Sequence, residues 1–271
     1  MIYYFSGTGN SRNVAVRLGE ILGEQVRPIT SCVPYEETFT GRSVGFVFPV
    51  YSWGVPPLFL EFIAGLPEAE IARLRDGELP VWSVLTYGDE AGDALKMLAS
   101  ALQRRGVNFT AAWGVQAPNV YVLLPGFDVD SQRVELRKLD DMKRRVSEIG
   151  EKIRKEDWAI DLFRGSWARL KTAVVYPLFR RWGINPRKWH YSDACIGCGA
   201  CASTCPVGNI AMLPADKEKN TGSATRKSEL RPVWGPDCTS CCGCYHVCPA
   251  GAIGYGSVTK GKGQYKGPDS I

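Results

Sequence analysis

Histidine is almost missing from this 271-residue chain: His190 and His246 are the only two. Little imidazole is at hand for acid–base catalysis, and both histidines read as structural or hydrogen-bonding residues. Long apolar runs are missing too. "AVVYPLF" is among the longest, against the roughly 20 residues a membrane-spanning helix needs. No basic segment leads into an apolar one at the N-terminus, so no secretory signal is expected and the chain reads as soluble and cytoplasmic. The first glycine-rich stretch, "SGTGNS", lacks the lysine of a Walker loop and the G-x-G-x-x-G spacing of a dinucleotide fold. No nicotinamide fingerprint occurs elsewhere. What remains is an ordinary globular composition, 45% apolar, in a chain long enough for one large or two smaller domains.

Cysteine is the opposite case. Nine of the ten cysteines fall between Cys195 and Cys248. Without an export signal, such clustering points to metal rather than to disulfides. The runs are Cys195-Ile-Gly-Cys198-Gly-Ala-Cys201-Ala-Ser-Thr-Cys205-Pro206 and Cys238-Thr-Ser-Cys241-Cys242-Gly-Cys244-Tyr-His-Val-Cys248-Pro249. Both follow the C-x2-C-x2-C-x3-C-P spacing of bacterial four-iron centres. Three thiolates two residues apart can wrap three corners of one cube, while the fourth points to the other cube. "CPVGNIAML" also parallels "CPAGAIGYG", so the segment is an internal repeat. The expected ligand sets are Cys195, Cys198, Cys201 with Cys248, and Cys238, Cys241, Cys244 with Cys205. Zinc is set aside, because zinc knuckles pair two C-x2-C units rather than repeating three. Cys242 is expected to be a free thiol beside a cluster, and Cys32 a distant buried or loop cysteine.

The first 130 residues alternate strand-like and helix-like segments. "IYYF", "QVRPI", "SVGFVFPVY", "LPVWSVLTYG" and "VNFTAAWGVQ" read as strands, with amphipathic helices between them. The alternation predicts an α/β fold with a parallel sheet covered on both faces. Over 131–157, Leu139, Met142, Val146, Ile149 and Ile153 recur at 3, 4, 3 and 4, predicting a helix docked on that sheet or, less simply, a short dimer seam.

Three loops at the carboxyl ends of strands, where open α/β sheets bind ligands, form a candidate site. Ser6, Gly7, Thr8, Gly9, Asn10 and Ser11 lie between the first strand and its helix, a phosphate seat of free N–H groups and hydroxyls. Pro49, Val50, Tyr51, Ser52, Trp53 and Gly54 follow the third strand; Thr86, Tyr87, Gly88 and Asp89 follow the fourth. Tyr51, Trp53 and Tyr87 could sandwich a flat ring, and Asp89 with Glu90 could influence it.

Through "SGTGNS", "YSWG" and "TYGD", residues 1–155 resemble a flavodoxin; through the cysteine runs, residues 190–256 resemble a bacterial two-cluster ferredoxin. Together they resemble the flavodoxin–ferredoxin fusion family. The resemblance implies a five-stranded sheet of order 2-1-3-4-5, FMN held at the loop beginning with Ser6, two [4Fe-4S] clusters, and electron transfer in anaerobic metabolism. It also implies that Asn119 and Tyr121 of "APNVYVL" would close over the flavin. The partners expected are a protein electron donor and acceptor. Nucleic acid is not expected, since anionic clusters and a flavin phosphate would offset the net charge of +5. Two other readings stay open: a flavin-dependent reductase of a quinone or unsaturated compound, and a docking protein whose flavodoxin half has lost FMN.

The expected organisation is a flavodoxin-like domain over 1–157, a connector over 158–192, a two-cluster domain over 193–256 and a flexible tail over 257–271. Within the two-cluster domain, about 214–231 reads as an inserted surface loop. From Arg164 to His190 the connector has seven Lys/Arg, three tryptophans and no acid. It reads as a linker packing its aromatics on both domains, or as a docking face for an acidic partner or a membrane surface.

Overall fold

The computed structural model describes residues 1–30, 39–183, 185–214 and 229–268. Cys32 and most of the expected insert, 215–228, lie outside them. The N-terminal half begins β1 (Ile2–Tyr4), α1 (Asn10–Leu22), β2 (Val26–Pro28), β3 (Val44–Pro49), α2 (Pro57–Gly65) and α3 (Glu68–Arg75). It continues with β4 (Val81–Tyr87), α4 (Ala94–Gln103), β5 (Ala111–Gln116), α5 (Gln132–Arg154) and β6 (Ile160–Asp161).

The strands form a parallel sheet of order β2-β1-β3-β4-β5-β6. The first five keep the expected order. The sixth is a correction: two connector residues, too few to carry a period, extend the edge beside β5. β3 and β4 are buried along almost their whole length, as continuous apolar runs in a parallel sheet require. Phe46, Phe48 and Leu85 face one side, with Phe59 and Leu98 from α2 and α4. Val47, Trp82 and Trp113 face the other, with Val14 and Leu18 of α1 and the periodic residues of α5. The apolar stripe of α5 is therefore buried on this sheet and is not a dimer seam.

A helix over 168–183 follows. It alternates short α pieces with wider π turns at Lys171–Val175 and Phe179–Gly183. Pro177 lies between the π turns; its missing N–H cannot sustain a regular α ladder. The C-terminal half is a pair of two-stranded antiparallel sheets. β7 (Trp189–Tyr191) pairs with β10 (Ile253–Tyr255), and β8 (Ile210–Pro214) with β9 (Leu230–Trp234). Short helices Ala200–Ser203 and Gly243–Val247 each contain the third cysteine of the repeated spacing, Cys201 and Cys244.

The halves share a core. Val122 and Leu123, from the loop after β5, pack with Trp189, Tyr245 and Tyr255 of the C-terminal half. The stretch after β10 also differs from the flexible tail expected. Tyr265 is buried, its hydroxyl donates to Asn10 Oδ1 at 2.6 Å, and Lys262 Nζ donates to the carbonyls of Val122 and Leu124.

Candidate iron–sulfur centres and the loop face

The two cysteine runs have matching backbones. Gly197 and Gly199 have left-handed φ angles of 68° and 78°; Ser240 and Cys242 take the same places in the second run at 55° and 61°. The final thiols match as well. Cys205 Sγ accepts from the Asn209 amide and Cys248 Sγ from the Ala252 amide, both at 3.3 Å and both four residues on.

Cys201 lies in the field of Cys195 and Cys198, while Cys241 feels Cys238, and both of these feel Cys205 from the first run. The chain therefore brings Cys205 across to the second set. Among the described residues no three His, Cys, Asp or Glu converge on a point suited to a single ion. Four buried donors nearby, Trp189 Nε1, Trp234 Nε1, Thr239 Oγ1 and Ser240 Oγ, lack an ordinary hydrogen-bond partner. Each lies beside a thiol and favours its thiolate: Trp189 and Ser240 at Cys238, Thr239 at Cys241, Trp234 at Cys244. Burial works the other way and pushes the Cys201 and Cys241 thiols up to about 11. Iron binding would overcome that penalty. Donors aimed at sulfur also tune a cluster's potential. The residues present thus fit four-iron centres. Cys198 is exposed, whereas no thiol of the second set is.

Cys242 is 2% exposed and its Sγ leans on the Ser240 carbonyl. Burial raises its thiol far above the usual range. It is a packed, protonated thiol in a left-handed position. Burial pushes His246 down to about 4. Its Nδ1 accepts from the Tyr265 amide at 3.0 Å, so the proton sits on Nε2, which donates to the Val120 carbonyl at 2.7 Å. It is a neutral tie between tail and loop. His190 is exposed on β7.

The loop from Ser6 meets the second cysteine run directly. A Cβ on Gly7 would fall 2.5 Å from Cys241 Cβ, and a Cβ on Gly243 would fall 2.5 Å from the Gly7 carbonyl oxygen. Ser6 Oγ accepts from the Gly9 amide, Asn10 Nδ2 donates to the Pro118 carbonyl, and Ser11 and Thr86 share a 2.7 Å hydroxyl contact. Thr8 lines a cavity of about 500 Å³ with Arg12, Thr30, Cys205 and Lys266.

The other loops are engaged by the connector. Tyr51 packs edge-on against Phe5 and Phe179. Ser52 and Trp53 both have positive φ, making a tight turn closed by paired bonds between Tyr51 and Gly54. Trp53 Nε1 donates to Glu90 at 2.6 Å, and its carbonyl accepts from Thr172. The Tyr176 ring covers Gly54, and its hydroxyl donates to the Val55 carbonyl. Pro49 and Val50 sit beside Thr86 at the strand ends. Tyr87 accepts from the Phe163 amide at 3.0 Å. Asn119 Oδ1 fills the space a Cβ on Gly88 would need, and Asn119 donates to Asp130. Tyr121 rests on Phe127 and Phe179. Asp89 is an exposed loop tip.

A family model for a 4Fe-4S dicluster domain matches residues 194–252. No curated protein matches the chain. Among solved structures, the Trp repressor binding protein of Bacillus subtilis is 12% identical, covering 54% of this chain and 94% of its own, with a TM-score of 0.39. Candidate flavoproteins of Bacteroides uniformis and Bacteroides eggerthii are 16% and 17% identical, with TM-scores of 0.33 and 0.35. They cover 43% and 52% of this chain, and 88% and 96% of their own. Likeness of this degree carries no argument about a ligand.

The residues of the dicluster half thus fit iron and sulfide. The residues expected to flank a flavin ring also make contacts with the connector. None of Tyr51, Trp53, Tyr87, Asn119 or Tyr121 lines the cavity beside Ser6–Gly9, which opens toward Pro28–Thr30 at the end of β2. Sequence reasoning missed Tyr265 and the donors around the second thiol set. The tryptophans Trp189 and Trp234, flanking the runs, were the available signal.

Proposed function

We propose that this protein carries electrons between a protein donor and a protein acceptor through two four-iron clusters. The observation behind this reading is the passage of Cys205 to the thiols of the second run, with the matched amide–sulfur bonds at Cys205 and Cys248. When bound, each four-iron cluster takes up and releases one electron. The chain supplies the rest. Cys195, Cys198, Cys201 and Cys248 hold one centre; Cys238, Cys241, Cys244 and Cys205 hold the other. Trp189, Trp234, Thr239 and Ser240 offer donors to the second set. Cys198 gives the first set a face that a partner can reach.

FMN would need its ring between Tyr51, Trp53 and Tyr87. Phe179 meets Tyr51 edge-on, Thr172 holds the Trp53 carbonyl and the Phe163 amide holds the Tyr87 hydroxyl, so the connector already engages all three residues, and no electron step is carried through a flavin. This favours the reading in which the α/β half is a docking body without FMN.

Anaerobic cofactor analysis tests both parts. About eight irons per chain are expected, with flavin far below one equivalent. Iron near zero after reconstitution would end the carrier reading. Stoichiometric FMN would reinstate the flavin.

A further inference from the structure

The helix over 168–183 has two unlike faces. One is pinned to the α/β half: Ala168, Tyr176 and Phe179 are buried, and Thr172 bonds Trp53 and the Asp93 amide. The opposite face carries Trp167, Leu170, Val174, Leu178 and Trp182, spaced 3, 4, 4 and 4. These are 77%, 56%, 46%, 45% and 65% exposed. Phe163, just before the helix, is 65% exposed as well. Single exposed apolar side chains are commonplace, but a continuous stripe with a tryptophan at each end is not.

Charge narrows the choice of occupant. The segment from Arg164 to His190 has seven cations and no acid. Arg164 and Lys171 are taken up by ion pairs with Asp93 and Glu90. Arg169, Arg180, Arg181, Arg187 and Lys188 are exposed. An apolar face bounded by tryptophan and flanked by outward cations matches an anionic lipid surface. Tryptophan settles at the headgroup level, Leu and Val enter the acyl boundary, and arginine pairs with lipid phosphate. Among the described residues no helix is long and apolar enough to cross a bilayer, so this contact lies in the interface.

We propose that the outer face of the 168–183 helix seats the protein on anionic membrane surfaces. The test uses the anaerobically purified holo-protein with phosphatidylglycerol–phosphatidylcholine vesicles against pure phosphatidylcholine vesicles. Cosedimentation with the anionic vesicles at low salt is expected, with release as salt screens the charges and a blue shift of tryptophan emission on binding. Arg169→Gln/Arg180→Gln/Arg181→Gln should weaken partitioning about fivefold per cation, on the order of a hundredfold in all. Trp167→Ser/Trp182→Ser should abolish the blue shift. Both variants should keep full iron content, since these side chains are exposed. Absence of cosedimentation at low salt, or equal partitioning to neutral vesicles, overturns the proposal. So does a dimer in sedimentation velocity that the tryptophan variant dissociates, since the face would then belong to a second copy.

Discussion

Gly243 and Ala200 hold equivalent places in the two cysteine runs, each directly after a left-handed residue, yet one lacks a Cβ. The difference follows from what lies opposite. Gly243 faces the Gly7 carbonyl, while Cys242 takes the left-handed place that glycine fills in the first run. Gly7→Ala and Gly243→Ala should each destabilise the holo-protein by about 1–3 kcal/mol, the usual cost of overpacking. Their effects should fall short of additive, because either one opens the same contact. Anaerobic denaturation followed by far-ultraviolet circular dichroism would measure both. This approach could not be read from the sequence. A glycine in a "SGTGN" loop looks the same whether it meets a phosphate or another loop of its own chain. The two cysteine runs were legible as a four-iron pattern, matched by the dicluster family model, because their spacing is local geometry. Their surrounding donors were not, because Trp189 and Trp234 reach them only through the tertiary fold.

At the scale of elements, legibility follows length and period. β3 and β4 stand out as apolar runs and α5 as a 3-4 stripe. α3 has only three buried residues, and β6 has no period at all. The connector revealed its composition but not its attachment, which depends on carboxylates far away in sequence. Asp93 is held below its ordinary value mainly by the hydrogen bond from Arg164, against burial. At Glu90, burial opposes the charge, but hydrogen bonds from Lys171 and Trp53 outweigh it and lower the carboxyl as well. Both carboxyls lie lower folded than unfolded. Their contribution to docking is therefore whole above their ordinary values of 4.5 and 3.8 and is lost as pH falls through the lowered ones. Hydrogen exchange of the helix over 168–183 should rise below about pH 4.5 relative to the core strands. Glu90→Gln should raise it already at neutral pH, by about 1–2 kcal/mol of local opening, since Lys171 is partly exposed.

For the whole molecule, the question is how far the halves depend on each other. The loop after β5, the connector and the stretch ending at Pro268 all cross between them. Cys201 belongs to the first run, whereas Cys241 touches the Gly7 loop. Cys201→Ala should lose about half of the iron and weaken the dicluster half, while leaving exchange at residues 6–10 nearly unchanged. Cys241→Ala should lose a similar amount and also loosen that loop. Iron analysis paired with hydrogen exchange separates the two outcomes. Equal loosening in both variants would mean that the halves unfold as one.

Cys198 stands in solvent, while Cys244 lies deep in the chain. With both thiol sets loaded as proposed, air, chelators and peroxide should therefore attack first at the set that includes Cys198. On that reading a weathered sample is expected to be a half-loaded species with its body intact, its colour fading in two stages.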